Sequence, residues 1–202
     1  MRTNNGKDLD MLNRRTFIAT TAATVFAAPA FGASTADASA FVTRVVNEIM
    51  GIVNSGKSTN AAVQDFNRVM GKYADMPTIA RSALGPAARS ASKSDISAFT
   101  TAFQGYVARK YGKQFADFKG GSIDVAGAKD RGKFIEVSAT ARTSRTINIT
   151  FRVWDRPGRL KIIDILTEGV SLVTSERAEV GALLEQRGGD VGRLARDLNG
   201  LG

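Results

Sequence analysis

Residues 158–189, GRLKIIDILTEGVSLVTSERAEVGALLEQRGG, carry the most information about the fold of this chain. Residues 160–166 are almost continuously apolar and predict a β-strand. Glu168-Gly169 interrupts this run, and helical spacing of the apolar residues begins at about Ser171. Gly188-Gly189 predicts the end of the helix, because glycine readily adopts the left-handed conformation found at helix C-termini. The stretch therefore predicts a strand that is followed directly by a helix.

Upstream of this strand, apolar and polar residues alternate. Residues 145–154 show the alternation most clearly, since Ile, Phe and Val alternate there with Thr, Asn and Arg. Residues 122–126 and 134–141 show shorter versions of the pattern, and residues 155–158, DRPG, predict a hairpin turn. Together with residues 160–166, these segments predict a four-stranded antiparallel sheet with one apolar face.

Helical spacing dominates the chain before the strands. It predicts helices over residues 36–54, 59–72 and 78–84, and a longer helix over residues 95–118 with Ser92 as its N-cap. The longest helix has a broad aromatic face, too wide for a helix in solvent, so we expect it to cover the apolar face of the sheet. Because the helices precede the strands instead of alternating with them, the predicted fold class is α+β.

The composition excludes several classes of function. The chain has 202 residues, of which 43% are hydrophobic, which is enough for one domain with a core. None of the residues is Cys or His, so disulfides, thiol nucleophiles, Ser-His-Asp triads and the common zinc sites are impossible. We therefore expect no metal, no cofactor and no enzymatic activity, although chemistry based on carboxylates stays open.

The N-terminus has the layout of an export signal. Arg14-Arg15 precedes a mildly apolar stretch rich in Ala and Thr, and small residues follow at Ala28-Pro29-Ala30 and Gly32-Ala33. The arginine pair resembles a twin-arginine signal, and the apolar run is shorter than the roughly 20 residues that a membrane span needs. We expect residues 1–33 to be a cleaved signal peptide and residues 34–202 to form a single periplasmic domain, with Met11 as an alternative start.

The charge balance favours anionic partners. The chain carries a formal charge of +9, and removal of residues 1–33, with four basic and two acidic groups, leaves +7. Such a protein attracts lipid headgroups, membranes or nucleic acid. Export, and the lack of interleaved basic and aromatic residues on any predicted strand, argue against nucleic acid. We expect transient contact with a membrane or a membrane protein.

Three motifs resemble those of the MlaC family, also called toluene-tolerance proteins. The C-terminal order of strand, EGVS, helix and GGD in residues 160–190 is similar to that family's C-terminal signature. Residues 73–85, YADMPTIARSALG, are similar to its Y-x-D…A-R…L-G helix, and the aromatic spacing of residues 99–111 is similar to its aromatic helix. The resemblance covers roughly residues 36–198.

The resemblance implies a fold, a ligand and partners. The implied fold is a cystatin-like roll, in which helices and a curved sheet enclose an apolar cavity. The implied function is periplasmic phospholipid binding, with lipid carried between the outer and inner membranes. The implied partners are an outer-membrane lipoprotein complex and the MCE-domain protein of an inner-membrane ABC transporter. A hopanoid-binding or other lipid-binding relative is the alternative.

Candidate cavity residues follow from the apolar faces of the predicted helix and strands. On the helix they are Phe103, Tyr106 and Val107. On the strands they are Ile135, Val137, Ile147, Ile149, Phe151 and Val153, and at the rim they are Val170 and Leu172. Alternation does not distinguish a cavity wall from an ordinary core, so packing of these residues against one another stays open.

Charged residues provide a second set of candidates. The basic side chains that we expect to form a rim for a lipid headgroup or a partner are Arg81, Arg89, Lys93, Arg109, Lys110 and Lys113. A solvated helix face is the alternative for each of them. Asp164 and Glu168 lie four residues apart on one strand, roughly 13 Å between α-carbons, so we expect structural roles and no shared acid–base chemistry.

An enzyme is the competing class of function. Small isomerases and dehydratases on similar rolls usually place a His or an Asp inside the cavity. Here the alternating positions of the predicted strands hold only apolar side chains, so the pattern favours binding over catalysis.

Overall fold

The computed structural model describes residues 33–156 and 158–202. The predicted signal peptide, residues 1–33, therefore lies outside the described residues except for Ala33, and its role stays a prediction.

Six α-helices occur in the described residues. They are α1 (Thr35–Val53), α2 (Thr59–Tyr73), α3 (Met76–Leu84), α4 (Lys93–Gly112), α5 (Leu172–Glu185) and α6 (Val191–Leu198). Every one begins after a Ser or Asp whose side-chain oxygen accepts a hydrogen bond from a backbone N–H of the first turn. These caps explain where the helices begin, because the first N–H groups of a helix have no intrahelical acceptor. No helix in residues 33–156 or 158–202 is long and apolar enough to cross a membrane.

The strands form one antiparallel sheet whose order follows the chain. They are β1 (Ser122–Asp130), β2 (Ile135–Arg142), β3 (Thr146–Arg156), β4 (Arg159–Thr167) and β5 (Val170–Ser171). The α+β prediction is confirmed, but the sheet contains five strands and not four. The additional strand, β5, folds back on β4 through Glu168 (φ 49°) and Gly169 (φ 80°). Two successive positive φ values are typical of the tight turns that reverse an antiparallel pair.

The first strand is longer than its sequence pattern indicates. It pairs with β2 along its whole length, with a register shift between Val125 and Gly127. Such an irregularity places an additional residue in one strand and interrupts the period of two. The sequence pattern therefore predicts a strand only as far as residue 126.

The helix that covers the sheet is α1, and the expectation that the aromatic helix would do so is wrong. Ala38, Phe41 and Val42 of α1 pack in one core with apolar residues of β2, β3 and β4. The aromatic segment ends as an α-helix at Gly112 and continues as a 3₁₀ helix, Lys113–Phe118. Phe99 and Phe103 of α4 belong to a second core, which is formed with α3, α5 and α6.

The last helix, α6, was not predicted from the sequence. Its buried residues Val191, Leu194, Ala195 and Leu198 have the i, i+3, i+4, i+7 spacing of a helix face. Asp190 provides the cap, since its carboxylate accepts a 2.8 Å hydrogen bond from the backbone N–H of Arg193. This helical spacing was present in the sequence, but Gly188-Gly189 was interpreted only as the end of the preceding helix.

Candidate functional site

A cavity of about 790 Å³ lies between the sheet and the helices. Its wall is apolar over most of its area, with contributions from α1, α2, α4, α5, β3 and β4. The lining residues on α1 and α2 include Val45, Ile49, Met50, Val53, Phe66, Val69, Met70 and Tyr73. Sequence reasoning missed this side of the cavity, although the amphipathic pattern of both helices was visible.

The cavity opens at one end of the sheet. Four of its lining residues are exposed, namely Gln114, Asp117, Ser144 and Arg145, and the others are buried or half-buried. The first two belong to the 3₁₀ helix that follows α4, and the other two to the turn between β2 and β3. We call these four residues the mouth.

Six of the eleven predicted cavity residues lie on the cavity wall. They are Phe103 and Val107 on α4, Ile147, Ile149 and Phe151 on β3, and Leu172 at the start of α5. Ile147, Ile149 and Phe151 share one face of β3 because successive side chains of a strand point to opposite faces. The remaining five residues lie elsewhere.

Three of these five residues lie under the N-terminal half of α1. Ile135, Val137 and Val153 pack in one core with Phe41 and Val42, so α1 fills the space above them. Only the C-terminal half of α1 borders the cavity. The assignment of these three residues to the cavity wall is therefore corrected to the packed core.

The other two predicted residues lie away from the cavity wall for different reasons. Tyr106 is buried among the helices, where its ring stacks at 6.1 Å from the ring of Phe103. Its hydroxyl donates a hydrogen bond to Glu179. Val170 does not line the cavity, because the turn before it places it on β5, where it is 60% exposed.

None of the predicted basic residues lines the cavity. Arg109 donates hydrogen bonds to the carbonyl oxygens of Leu198 (2.6 Å) and Leu201 (2.8 Å), at the end of α6. Lys113 donates to the carbonyl oxygen of Gly202 over 2.7 Å. These two side chains hold residues 198–202 onto α4 and the start of the 3₁₀ helix that follows it. The remaining members of the predicted rim are Arg81, Arg89 and Lys93, which are exposed, and Lys110, which pairs with acidic residues.

A buried acidic residue, Glu176 of α5, forms part of the cavity wall. Its Oε1 accepts hydrogen bonds from the Tyr111 hydroxyl at 2.6 Å and from Lys110 Nζ at 2.8 Å. Its Oε2 is buried and has no hydrogen-bond partner among the described residues. Lys110 also pairs with Glu179, so one cation joins two carboxylates between α4 and α5.

This polar cluster shifts several pKa values. Burial, and then the hydrogen bond to Glu179, raises the pKa of Tyr106 to about 12. Burial and the hydrogen bond to Glu176 raise the pKa of Tyr111. Desolvation alone lowers the pKa of Lys110, but its hydrogen bonds to Glu176 and Glu179 outweigh that effect and raise the pKa overall. The cluster therefore keeps its lysine charged and its phenols neutral at ordinary pH.

Asp164 and Glu168 both form structural hydrogen bonds, as expected. The carboxylate of Asp164 is buried and accepts hydrogen bonds from the Ser171 hydroxyl (2.7 Å) and the Val173 backbone N–H (3.2 Å), at the start of α5. The carboxylate of Glu168 accepts a hydrogen bond from the backbone N–H of Asn148. Asp164 also borders the cavity.

In the described part of the chain, no group of three His, Cys, Asp or Glu residues is placed to hold a metal ion.

The comparisons with known proteins agree with this architecture. A family model described as MlaC protein matches residues 43–199. The chain belongs to the MlaC family. This match confirms the resemblance drawn from the sequence motifs. A search of curated proteins finds no match for this MlaC-family chain.

A solved structure supports the same fold for this MlaC-family chain. It is the phospholipid-binding protein from Ralstonia solanacearum in complex with a phospholipid, and it is 19% identical in sequence. The superposition has a TM-score of 0.70 and covers 80% of this chain and 94% of the Ralstonia chain. At this level of identity the likeness shows a shared fold.

Proposed function

We propose that this MlaC-family protein binds a phospholipid, with the acyl chains in the cavity and the headgroup at the mouth. The observation that carries the proposal is the apolar cavity of about 790 Å³, whose exposed lining residues, among those that the structure describes, all belong to the mouth. This volume lies in the range of about 300–1,000 Å³ that is usual for ligand pockets. The phospholipid bound to the Ralstonia protein of the same fold supports the choice of ligand.

The energetics suit a carrier. Each methylene group removed from water contributes about 0.8 kcal/mol, so two acyl chains contribute roughly 20 kcal/mol before the cost of association. A membrane provides a comparable apolar environment. Transfer between membrane and cavity is therefore near neutral in free energy, and the lipid can be both loaded and released.

We further propose that the protein acts in the periplasm as the soluble component of an Mla-type system. The signal-like sequence of residues 1–33 supports export, and the formal charge of +7 on the remaining residues supports contact with anionic surfaces. The proposed partners are an outer-membrane lipoprotein complex and the MCE-domain protein of an inner-membrane ABC transporter. Family membership is what supports these partners.

Binding without catalysis is the role that the cavity favours. Two acidic side chains border its interior, Asp164 and Glu176. Asp164 accepts the hydrogen bonds at the start of α5, and Glu176 accepts hydrogen bonds from Lys110 and Tyr111. Both carboxylates therefore join elements of the fold, which supports a carrier over an isomerase-like enzyme.

The test is mass spectrometry of the organic extract from protein purified without detergent. We expect about one phospholipid per protein. Recovery of a hopanoid would show that the ligand is the alternative lipid and not a phospholipid. An extract without lipid, from protein that also fails to take up phospholipid from vesicles, would refute the proposed function.

A further inference from the structure

The mouth of the cavity contains one positive and one negative side chain. Arg145 is the only basic residue among the described residues that line the cavity, and Asp117 is the only exposed acid among them. The two other exposed members, Gln114 and Ser144, are neutral. Any headgroup that projects from the cavity therefore meets both signs of charge.

The backbone of Arg145 is held by hydrogen bonds, whereas its side chain has no partner among the described residues. Its backbone N–H donates a hydrogen bond to the Thr143 hydroxyl over 3.4 Å, and its carbonyl oxygen accepts one from the Thr143 N–H over 3.0 Å. Its guanidinium forms no hydrogen bond or ion pair with any residue in 33–156 or 158–202. Arg142, three residues earlier in the chain, differs because it pairs with Asp124.

Asp117 is also available for a ligand. Its carboxylate is exposed and has no hydrogen bond or ion pair within the described part of the chain, and it forms none with Arg145. A planar guanidinium binds phosphate oxygens through paired N–H groups, and a carboxylate accepts hydrogen bonds from an ammonium group. The two side chains present complementary partners for the two charges of a zwitterionic headgroup.

We propose that the mouth recognises a zwitterionic phospholipid headgroup, with Arg145 binding the phosphodiester and Asp117 binding the ammonium group. This inference rests on the proposed function and names its preferred substrate class. A headgroup with a phosphodiester but no cation leaves Asp117 beside negative charge. A lipid without phosphate leaves Arg145 without a partner.

The experiment measures binding of three lipids with identical acyl chains: a phosphatidylethanolamine, a phosphatidylglycerol and a diacylglycerol. Near physiological ionic strength the screening length is about 8 Å, which limits the contribution of the protein's overall positive charge. Because the side chains are exposed, we expect the wild type to prefer phosphatidylethanolamine by about three- to tenfold over each of the other two lipids.

Two variants separate the roles of the charges. Arg145→Gln should remove the preference for phosphatidylethanolamine over diacylglycerol, and Asp117→Asn should remove only the preference for phosphatidylethanolamine over phosphatidylglycerol. Arg142→Gln is the matched control, because it removes a neighbouring exposed arginine that does not line the cavity. The control should keep both preferences.

The proposal is overturned if the wild type binds phosphatidylethanolamine no better than phosphatidylglycerol. It is also overturned if either mouth variant retains the wild-type ratios, or if Arg142→Gln changes them as Arg145→Gln does. Failure of the proposed function gives a different result, since none of the three lipids then binds, diacylglycerol included.

Discussion

The hydroxyl of Tyr111 donates a 2.6 Å hydrogen bond to Oε1 of Glu176, and this bond joins α4 to α5 at the wall of the cavity. Lys110 donates to the same oxygen over 2.8 Å. A buried carboxylate is therefore held beside an apolar cavity by two donors from a single helix. This arrangement connects the stability of the helical layer with the shape of the cavity.

Removal of this carboxylate should destabilise the protein. Glu176→Ala leaves the Tyr111 hydroxyl without its acceptor, whereas Lys110 keeps its pairing with Glu179. We expect a loss of about 1–3 kcal/mol in the free energy of unfolding, as for a buried hydrogen-bonding group that loses its partner. Urea unfolding measures the change.

The matched control for this prediction is Glu185→Ala. Glu185 is an exposed glutamate on the same helix, and its side chain has no ion pair among the described residues. Its replacement should leave stability within about 0.5 kcal/mol of the wild type. Equal stability losses in the two variants would show that the cluster around Glu176 has no special role.

The raised pKa of Tyr106 predicts a loss of stability in alkaline solution. Its pKa rises from 10.0 to about 12, first because of burial and then because of the hydrogen bond to Glu179. The folded protein therefore holds this proton more tightly than the unfolded chain does. The contribution to stability is complete below the unfolded pKa, about 10, and is lost as the pH rises towards about 12.

Unfolding by urea at several alkaline pH values tests this dependence. Tyr106→Phe should show a smaller decline in stability over that pH range than the wild type, because it lacks the titrating phenol. Ultraviolet difference spectra should also show tyrosinate forming at lower pH in the unfolded protein than in the folded one. Identical declines in the two proteins would contradict the prediction.

A charge in the apolar wall should prevent lipid loading. Ile149 lies on β3 and borders the cavity, so Ile149→Asp places a carboxylate against the acyl chains. Burial of an unpaired charge costs several kcal/mol, so we expect at least about a tenfold decrease in co-purified lipid. Mass spectrometry of the organic extract measures the lipid, and circular dichroism checks the fold.

Val170→Asp provides the control for the wall variant. Val170 is 60% exposed and does not line the cavity, so the same kind of substitution there should leave loading unchanged. Normal loading by a folded Ile149→Asp protein would place the lipid outside this cavity.

Asp164 should stabilise the junction between the sheet and α5. Asp164→Ala removes the acceptor for the Ser171 hydroxyl and the Val173 N–H and breaks the 3.3 Å ion pair with Arg152. We expect a loss of about 2–4 kcal/mol, measured by thermal unfolding. Asp164→Asn keeps one acceptor oxygen and should lose less. An unchanged melting temperature in Asp164→Ala would contradict the capping role.

The strand pattern of the sequence was a reliable guide to one wall of the cavity. Ile147, Ile149 and Phe151 alternate with polar residues, and all three border the cavity. Val153 has the same alternation on the same strand but packs under α1. Periodicity identifies the face to which a side chain points, but it contains no information about which helix lies above each position.

The aromatic helix shows the same limit of sequence periodicity, which does not identify packing partners. Its broad apolar face indicated burial, and Phe99, Phe103 and Tyr106 are indeed buried. The predicted packing partner was wrong, since this helix packs mainly with α6, α2 and α3. A wide apolar face predicts contact with several elements without naming them.

The sequence by itself determined the α+β class, most of the helices and strands, the family and the absence of Cys and His chemistry. These properties depend on local spacing and composition, which a linear pattern records directly. Only the tertiary structure decided that α1 covers the sheet, that Glu176 joins α5 to α4, and that Arg145 and Asp117 share the mouth. Those relationships connect residues far apart in the chain, and they depend on how packed elements fill the space between them.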